Sequence, residues 1–192
     1  DTNDLYQTIL FKSELPLIKK TDKFNTYLKP ILVTRYSPNN SKNISNKDLR
    51  LTYDNIFSLN RISSKRNIEE GGSISLGIEY DIDDKENNKI LNFKIANSIS
   101  DKRKSNLPTK SKLNEKRSDI VGKLDFQATQ ILDINYNFSY DRDLKNSNYQ
   151  SVSTNFDFNN FQTAFSYLSE DNEIGNTEIA SNTSSYNFND EN

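Results

Sequence analysis

The sequence contains neither cysteine nor histidine among its 192 residues. Without cysteine, a chain has no disulfide framework and no thiolate metal site. Without histidine, it lacks the side chain that most often serves as general base and as metal ligand. The carboxylate pairs Asp83–Asp84 and Glu69–Glu70 lie in polar turns with no acid–base partner in view. We therefore expect no enzyme, no catalytic residue, no metal site and no cofactor.

Three other features are missing from the chain. No apolar run approaches the roughly 20 residues that a membrane-spanning helix requires. Lysine and arginine total 25 against 27 aspartate and glutamate, which gives a net charge of −2. The basic footprint of a nucleic-acid-binding protein is therefore absent, and we expect no nucleic-acid partner. There is also no signal peptide at the start, so we expect an exported protein to carry this chain as a mature or internal piece.

The composition is polar but unusually rich in aromatic residues. Hydrophobic residues make up 33% of the chain and charged residues 27%, values near the polar end of the range for folded domains. Aromatic residues still account for 11%, as 10 tyrosines and 11 phenylalanines. They are spread thinly in alternation, without a block that fills a thick core. This combination is typical of a membrane β-barrel, whose lumen face is polar.

Strict alternation between residues 73 and 82 organises the chain. A period of two is typical of a strand with one apolar and one polar face. Its apolar face consists of Ile74, Leu76, Ile78, Tyr80 and Ile82. The same pattern predicts strands over residues 5–18, 24–36, 90–99, 120–128, 132–140, 152–158, 161–167 and 178–188. Pro30 removes one ladder donor from the second of these, so we expect a bulge or weakened pairing there.

The connections between these strands alternate in length. They are predicted over residues 37–72, 83–89, 100–117, a tight turn near Gln130, 141–148, the pair Asn159–Asn160, and 170–177. Outer-membrane barrels join their strands by short periplasmic turns and longer extracellular loops. We therefore predict an all-β antiparallel up-and-down meander, a slice of a large transmembrane outer-membrane β-barrel. Residues 1–192 would be one part of the barrel domain, incomplete at both ends. A soluble β-sandwich or a solenoid remains the alternative.

The cleanest alternation gives the sharpest structural expectation. We expect one strand face, turned towards lipid, to carry Leu132, Ile134, Tyr136, Phe138 and Tyr140. The opposite, inward face would carry Asp133, Asn135, Asn137 and Ser139. A compact two-sheet core containing the first five side chains would contradict the barrel interpretation.

A family resemblance rests on the stretch from Leu28 to Tyr80. Leu28-Lys29-Pro30 and Tyr36-Ser37-Pro38 match a lead-in and a strand end of the lipopolysaccharide-assembly LptD family. The most specific motif stands here as NIFSLNRISSKRNIEEG, residues 55–71. It matches the family pattern at Asn55, Phe57, Ser58, Asn60, Arg61, Ser63, Glu69 and Gly71, and departs from it at Ile62, Ser64, Arg66 and Asn67. The chain thus resembles part of the C-terminal barrel domain of that family.

The resemblance implies a translocon in the outer membrane of a Gram-negative bacterium. Such a barrel assembles lipopolysaccharide into the outer leaflet. Its implied partners are lipopolysaccharide, the lipoprotein plug LptE, a periplasmic bridge protein and outer-membrane lipid. The alternatives left open are a soluble or surface glycan-binding module and a general porin or receptor barrel.

The motif loop supplies the candidate site residues, which are Asn55, Phe57, Asn60, Arg61, Arg66, Glu69 and Gly71. One hypothesis is that they hold the loop backbone by hydrogen bonds and ion pairs. The other is that Arg61 or Arg66 contacts lipopolysaccharide phosphates, which arginine binds in bidentate fashion. Because a solvated loop has no need for its several apolar residues, we expect it to fold over or into the lumen, with Phe57 largely buried and Arg61 bonded to backbone or carboxylate. The basic loop with Lys102, Arg103, Lys104, Lys110 and Lys112 is interpreted as solvated and flexible, or else as meeting anionic groups.

Overall fold

The computed structural model describes residues 5–62, 67–127, 131–158, 160–172 and 175–188. Ten strands lie within them: β1 (Ile9–Glu14), β2 (Leu17–Lys20), β3 (Asn25–Ser37), β4 (Gly71–Asp83), β5 (Lys89–Ser100), β6 (Ile120–Gln127), β7 (Leu132–Tyr140), β8 (Ser147–Phe158), β9 (Phe161–Asn172) and β10 (Gly175–Tyr186). A 3-10 turn spans Lys110–Lys112. In the described part of the chain, no helix is long and apolar enough to cross a membrane.

All ten strands belong to one antiparallel sheet. Its order is β1-β3-β4-β5-β6-β7-β8-β9-β10, and β2 also pairs with β3. From β3 onwards, each strand therefore pairs with its neighbours in sequence. The described strands do not close into a barrel, because β1 and β10 form the two edges of the sheet. The predicted all-β meander is confirmed.

Directly paired residues share a face of the sheet, and the pairing produces one continuous apolar face. Leu32 pairs with Leu76, Phe93 with Leu124, and Leu124 with Tyr136. The predicted apolar set of β7 lies on this face, as its pairing with β6 shows. The face is uncovered at its centre, where Leu76 is 52% exposed. The five side chains therefore lie on an open sheet face, and the two-sheet core that would contradict the barrel interpretation is not formed by the described residues.

Pro30 disturbs only one of its two neighbouring strands. The ladder between β3 and β4 passes Pro30 opposite Ile78 without a register shift, so the expected bulge is absent on that side. The interruption lies on the other side, where the predicted strand 5–18 is divided into β1 and β2. There the Leu15 backbone N–H donates to the Pro30 carbonyl over 3.2 Å. Since a strand residue directs its N–H to one neighbour only, a proline weakens one ladder and spares the other.

Two predicted loops are shorter than expected. The prediction of a loop over 170–177 is wrong, because β9 continues to Asn172 and pairs with Gly175 at the start of β10. The predicted loop 141–148 ends early, since β8 begins at Ser147. Backbone ladder bonds do not depend on side-chain polarity, so polar residues continue these strands. The tight turn at 128–130 and Asn159 lie outside the described residues.

The hydrophobic core lies between the polar face of the sheet and the two long connections, residues 38–70 and 101–119. Its buried members are Leu51, Tyr53, Ile56, Ile62, Ala96, Leu107, Leu113 and Val121. Ala96 and Val121 come from β5 and β6, and the others come from the connections. The motif loop packs on the polar face of the sheet, and its position over or in a lumen stays a prediction. Phe57 is half-buried at the edge of this core, less than expected.

Gly77 in β4 makes room for the loop. A Cβ atom at this position would lie 2.4 Å from the Phe57 ring. Replacing Gly77 by valine should therefore displace Phe57 and destabilise the packed loop by about 1–3 kcal/mol, the usual cost of overpacking. Limited proteolysis within residues 38–70 of the full-length protein measures this. Ser166→Val, on the exposed part of the same polar face, is the control and should cleave like the wild type. Equal cleavage of the Gly77 variant would contradict the packing argument.

Candidate functional site

The centre of the loop assembly is a fully buried carboxylate, Glu69, that contacts three cations. Arg61 donates from Nε to Oε2 over 2.9 Å and from Nη2 to Oε1 over 2.5 Å. Arg35 Nη2 lies 2.8 Å from Oε2, and Lys104 Nζ donates to Oε1 over 2.9 Å. All four residues are buried. We refer to Glu69, Arg35, Arg61 and Lys104 as the Glu69 cluster.

The cluster joins three segments that are far apart in the sequence. Arg35 comes from β3, Arg61 and Glu69 from the connection 38–70, and Lys104 from the connection 101–119. Arg35 Nη1 also donates to the Glu69 backbone carbonyl over 2.9 Å. A bidentate arginine adds geometric constraint as well as energy, because both donors of its planar fork are engaged. The cluster therefore holds both long connections against β3.

Small hydroxyl side chains of the polar face complete the contacts of Arg61. Its Nη1 donates to Ser98 Oγ over 2.5 Å and reaches Ser75 Oγ at 3.5 Å. Ser75 also donates to the Ile56 backbone carbonyl over 3.3 Å. The serines that alternate with apolar residues in β4 and β5 thus serve as partners for the loop. The polar residues of the alternating pattern therefore bind the motif loop at this point of the sheet.

The electrostatics of the cluster favour an ionised Glu69. Burial of the carboxylate opposes its ionisation, but Arg61, Arg35 and Lys104 together outweigh this effect and hold its pKa at about 2. Burial lowers the pKa of Lys104, and the adjacent Glu69 carboxylate offsets part of that shift. Three cations facing one carboxylate leave an excess of positive charge among buried groups. Burial opposes ionisation of the nearby Asp101, but the Gly72 backbone N–H and the Lys104 charge outweigh it and lower the pKa of Asp101.

The other motif residues shape the connection 38–70 through local contacts. Asn55 closes a turn, since its Oδ1 accepts from Thr52 N over 2.9 Å and its Nδ2 donates to the Arg50 carbonyl over 2.9 Å. Phe57 meets Tyr53 edge to face at 5.4 Å between ring centroids. Asn60 Nδ2 donates to the Asn67 carbonyl over 3.5 Å.

Gly71 begins β4 with a φ of 74°, a conformation that favours glycine. A Cβ atom there would approach the Asp101 carboxylate to 2.9 Å. Arg66 lies outside the described residues. Arg61 is bonded to a carboxylate, as expected, and contact of Arg61 or Arg66 with lipopolysaccharide phosphates stays a prediction.

The basic connection 101–119 is more ordered than the sequence suggests. The interpretation of its lysines as a solvated, flexible set is wrong for Lys104, which is buried in the Glu69 cluster. Lys110 pairs with Asp48 and, over 2.8 Å, with Glu170 of β9. Lys102 pairs with Glu70 over 2.8 Å. Only tertiary structure brings these carboxylates within reach.

Sequence reasoning missed Arg35 as a member of the cluster. A signal for it exists, because Ile31, Val33 and Arg35 alternate on the face of β3 opposite Leu32. Both faces of that strand segment are therefore apolar, which indicates that both are covered or in lipid. The structure shows Ile31, Val33 and Arg35 buried. A basic residue in such a row predicts a buried acidic partner.

A second ionic contact joins the two connections to β9, a strand distant from β3 in the sheet. Arg50 Nη2 donates to Glu170 Oε2 over 2.7 Å, and the Arg50 guanidinium lies 4.2 Å from the centre of the Tyr149 ring. The Glu170 carboxylate thus receives both Arg50 and Lys110. The described residues contain no group of three or more acidic, histidine or cysteine side chains placed to hold a metal ion.

The fold and the loop assembly together define a class of protein. An antiparallel meander with a continuous apolar face, whose polar face is partly covered by its own long connections, has the architecture of a slice of a β-barrel. The comparison with known families agrees. The family described as LptD, LPS transport system D, matches residues 6–191, and the chain belongs to this lipopolysaccharide transport family. None of the curated proteins matches the chain.

Loss of the Glu69 charge should release both connections. In Glu69→Gln, three buried cations lose their anionic partner, and breaking a buried pair in this way typically costs about 3–5 kcal/mol. We expect faster protease cleavage in both 38–70 and 101–119 of the full-length protein. Glu86→Gln, in the exposed turn after β4, is the matched control. Wild-type resistance of the Glu69 variant would show that the cluster does not hold the connections.

The same cluster predicts a pH dependence. The pKa of Glu69 falls from an ordinary 4.5 to about 2 in the folded state. A depressed carboxyl pKa stabilises the fold fully above pH 4.5, and this contribution is lost as the pH falls towards 2. A spin label at the exposed position Leu59 should therefore become more mobile across this window. In Glu69→Gln the label should be mobile at every pH, and a wild-type label unaffected by acid would contradict the assignment.

Proposed function

We propose that this chain forms part of the wall of an outer-membrane translocon that inserts lipopolysaccharide into the outer leaflet. The observation that carries the proposal is the division of one sheet into two faces: an apolar face that is exposed at its centre, and a polar face partly occupied by the chain's own connections. Membership of the lipopolysaccharide transport family supports it. In this proposal the chain has no enzymatic role.

The apolar face faces lipid in this proposal. Ile74, Leu76 and Ile78 are each more than two-fifths exposed and adjoin one another on β4. A contiguous apolar surface of this kind is unfavourable in water and favourable against acyl chains. Strands of 12 or 13 residues, as in β4, β5, β8 and β9, exceed the roughly 9–11 residues that a tilted strand needs to cross the hydrocarbon layer.

The polar face lines the lumen, along which the sugar part of lipopolysaccharide passes. Asp133, Asn135, Asn137 and Ser139 of β7 lie on this face, opposite the apolar set of the same strand. Hydroxyl, amide and carboxylate groups offer sugars both donors and acceptors. The acyl chains have no place on this surface and leave through lipid-facing openings of the complete barrel.

The complete barrel requires more strands than those described here. The outer edges of β1 and β10 have no partner strand within the described residues. In hydrocarbon, unpaired backbone N–H and C=O groups are too costly to persist. We propose that further strands of the same barrel domain pair with both edges. The lipoprotein plug LptE, a periplasmic bridge protein and outer-membrane lipid are the proposed partners, and the Gram-negative outer membrane is the proposed location.

The Glu69 cluster gives the motif residues their role in this function. By holding two connections over the polar face, the cluster narrows the lumen and keeps the empty barrel from leaking. Asn55, Phe57, Asn60 and Gly71 shape the same connection. Arg61 is almost completely buried, which favours this structural role over direct binding of lipid phosphates.

Charge reversal at Arg61 tests the proposal in cells. Arg61→Glu in the full-length protein places a second carboxylate beside Glu69, so the connections should leave the lumen and large antibiotics should enter. Arg142→Glu, at an exposed turn, is the control with the same change of charge. Growth inhibition by a large antibiotic and lipopolysaccharide at the cell surface are measured at equal barrel levels.

The outcome separates the two parts of the proposal. Depletion of the full-length protein should stop new lipopolysaccharide from reaching the surface, and unchanged delivery would reject the translocon. An intact barrier in Arg61→Glu, at normal barrel levels, would instead reject the role of the cluster in closing the lumen.

A further inference from the structure

A cleft of about 640 Å³ opens between the connection 101–119 and the turn that joins β7 to β8. The connection forms a basic wall, whose charged side chains are Arg103, Lys112, Glu115, Lys116 and Arg117. The turn forms the opposite wall, whose charged side chains are Asp141, Arg142 and Asp143. Four cations and one carboxylate give the basic wall a charge of +3, whereas one cation and two carboxylates give the opposite wall −1. None of these residues belongs to the Glu69 cluster.

The cations of the basic wall are within reach of a ligand in the cleft. Lys116 and Arg117 are exposed, and the Lys112 side chain is 47% exposed. Their charged groups therefore need no rearrangement of the protein to meet a group that enters from solvent.

Ion pairing divides the basic residues of the connection 101–119 into two sets. Those that face away from the cleft are paired with carboxylates elsewhere in the structure: Lys102, Lys104 and Lys110. At the cleft, Arg103 pairs with Glu115 over 2.6 Å. Lys116 and Arg117 have no carboxylate within ion-pair distance in the described part of the chain. The uncompensated positive charge of this connection is therefore collected at the cleft.

Lys112 adds a third available cation. Its Nζ lies 3.8 Å from Asp119 Oδ1, which is beyond hydrogen-bond distance. The other oxygen of that carboxylate accepts from Asn148 Nδ2 over 2.7 Å and from Ser139 Oγ over 3.1 Å. The ammonium donors of Lys112 thus remain free to turn towards the cleft.

The carboxylates of the opposite wall are engaged within their own turn. Asp141 Oδ1 accepts from the Lys145 backbone N–H over 2.9 Å, and its Oδ2 accepts from Asn146 Nδ2 over 2.8 Å. Asp143 Oδ1 lies 3.8 Å from Arg142 Nε. These carboxylates form no ion pair with the basic wall among the residues that the structure describes, so the two walls keep opposite charge.

The backbone that carries the exposed cations is fixed to β5. The Ser100 backbone N–H donates to the Lys116 carbonyl over 2.8 Å, and the Ser118 backbone N–H donates to the Ser98 carbonyl over 2.9 Å. Arg117 lies between these two bonds. The basic wall is therefore presented by an ordered segment.

A phosphate group is the ligand that suits this wall. It carries a charge of about −1.5 to −2 and three strong acceptor oxygens, so that it can contact several cations at once. The planar fork of an arginine matches phosphate geometry in bidentate fashion. A metal cation would be repelled by the wall. A broad anionic surface would bring further negative charge against the opposite wall, which favours a single phosphate group.

We propose that this cleft binds a phosphate group through Lys112, Lys116 and Arg117. The connections after β3, β5 and β7 lie at the same end of the antiparallel sheet, and in outer-membrane barrels the longer connections are extracellular. Assignment of the phosphate to lipopolysaccharide rests on the proposed function, whereas the binding of phosphate by the cleft does not. At that end, the cleft would hold a phosphorylated sugar beside the rim of the barrel.

The test uses lipopolysaccharide from which all acyl chains have been removed while its phosphate groups are kept. This saccharide is titrated calorimetrically into the full-length protein with its partner lipoprotein in detergent. The double variant Lys116→Gln, Arg117→Gln should bind about tenfold more weakly than the wild type, because two exposed charge contacts are lost. Added salt should weaken wild-type binding. Lys19→Gln, Lys20→Gln, an exposed basic pair at the opposite end of the sheet, is the matched control and should bind like the wild type.

Two further measurements identify the ligand and the place. The same saccharide treated with phosphatase should lose its affinity, and inorganic phosphate should compete with the untreated one. Inorganic phosphate that binds as tightly as the saccharide would support the site and assign it to free phosphate. In the wild type, the untreated saccharide should slow hydrogen exchange in 112–118, which locates the site without any variant.

The contrary outcomes reject defined statements. Equal binding by the double variant, equal binding of the phosphatase-treated saccharide, or exchange protection confined to other segments would overturn the phosphate cleft. Lipopolysaccharide delivery that depends on the full-length protein, without saturable saccharide binding, rejects the cleft alone. Binding at the cleft in a protein whose depletion leaves delivery unchanged rejects the proposed function alone.

Discussion

The removal of one carboxylate from water is the constraint on which the loop assembly depends. A buried Glu69 is stable only if cations and donors replace its hydration. Arg61 is eight positions away, but Arg35 and Lys104 are separated from it by 34 and 35 positions. Bringing them together requires the connection 38–70 to fold back on β3 and the connection 101–119 to close over it. The small apolar core forms in the space that this arrangement encloses.

This arrangement reverses the usual relation between a sheet and its core. In a soluble half-buried sheet, the apolar face packs inward and the polar face meets water. Here the polar face carries the core, because Ala96 and Val121 among its residues meet apolar side chains of the connections. The serines of β4 and β5 bind the loop backbone and Arg61. The apolar face has no comparable core, and Leu76 at its centre is 52% exposed.

The failures of prediction share one physical origin. Polarity predicts a loop for residues 170–177 and a solvated side chain for Lys104. In both cases a partner distant in sequence decided the outcome, a neighbouring backbone for β9 and a buried carboxylate for Lys104. Arg35 was missed for the same reason. The sequence does not tell whether a polar residue is solvated or paired when its partner lies on another segment.

The sequence by itself determined most of the strands, their faces and their order along the sheet, because alternation with period two is a local property of the extended backbone. It also determined that residues 55–71 carry the family motif and that their apolar residues need a covered surface. Only the tertiary structure decided which cations meet Glu69, and that Arg50 and Lys110 both meet Glu170. Those contacts depend on ladder register and on the path of two long connections, and neither is recorded in any short stretch of sequence.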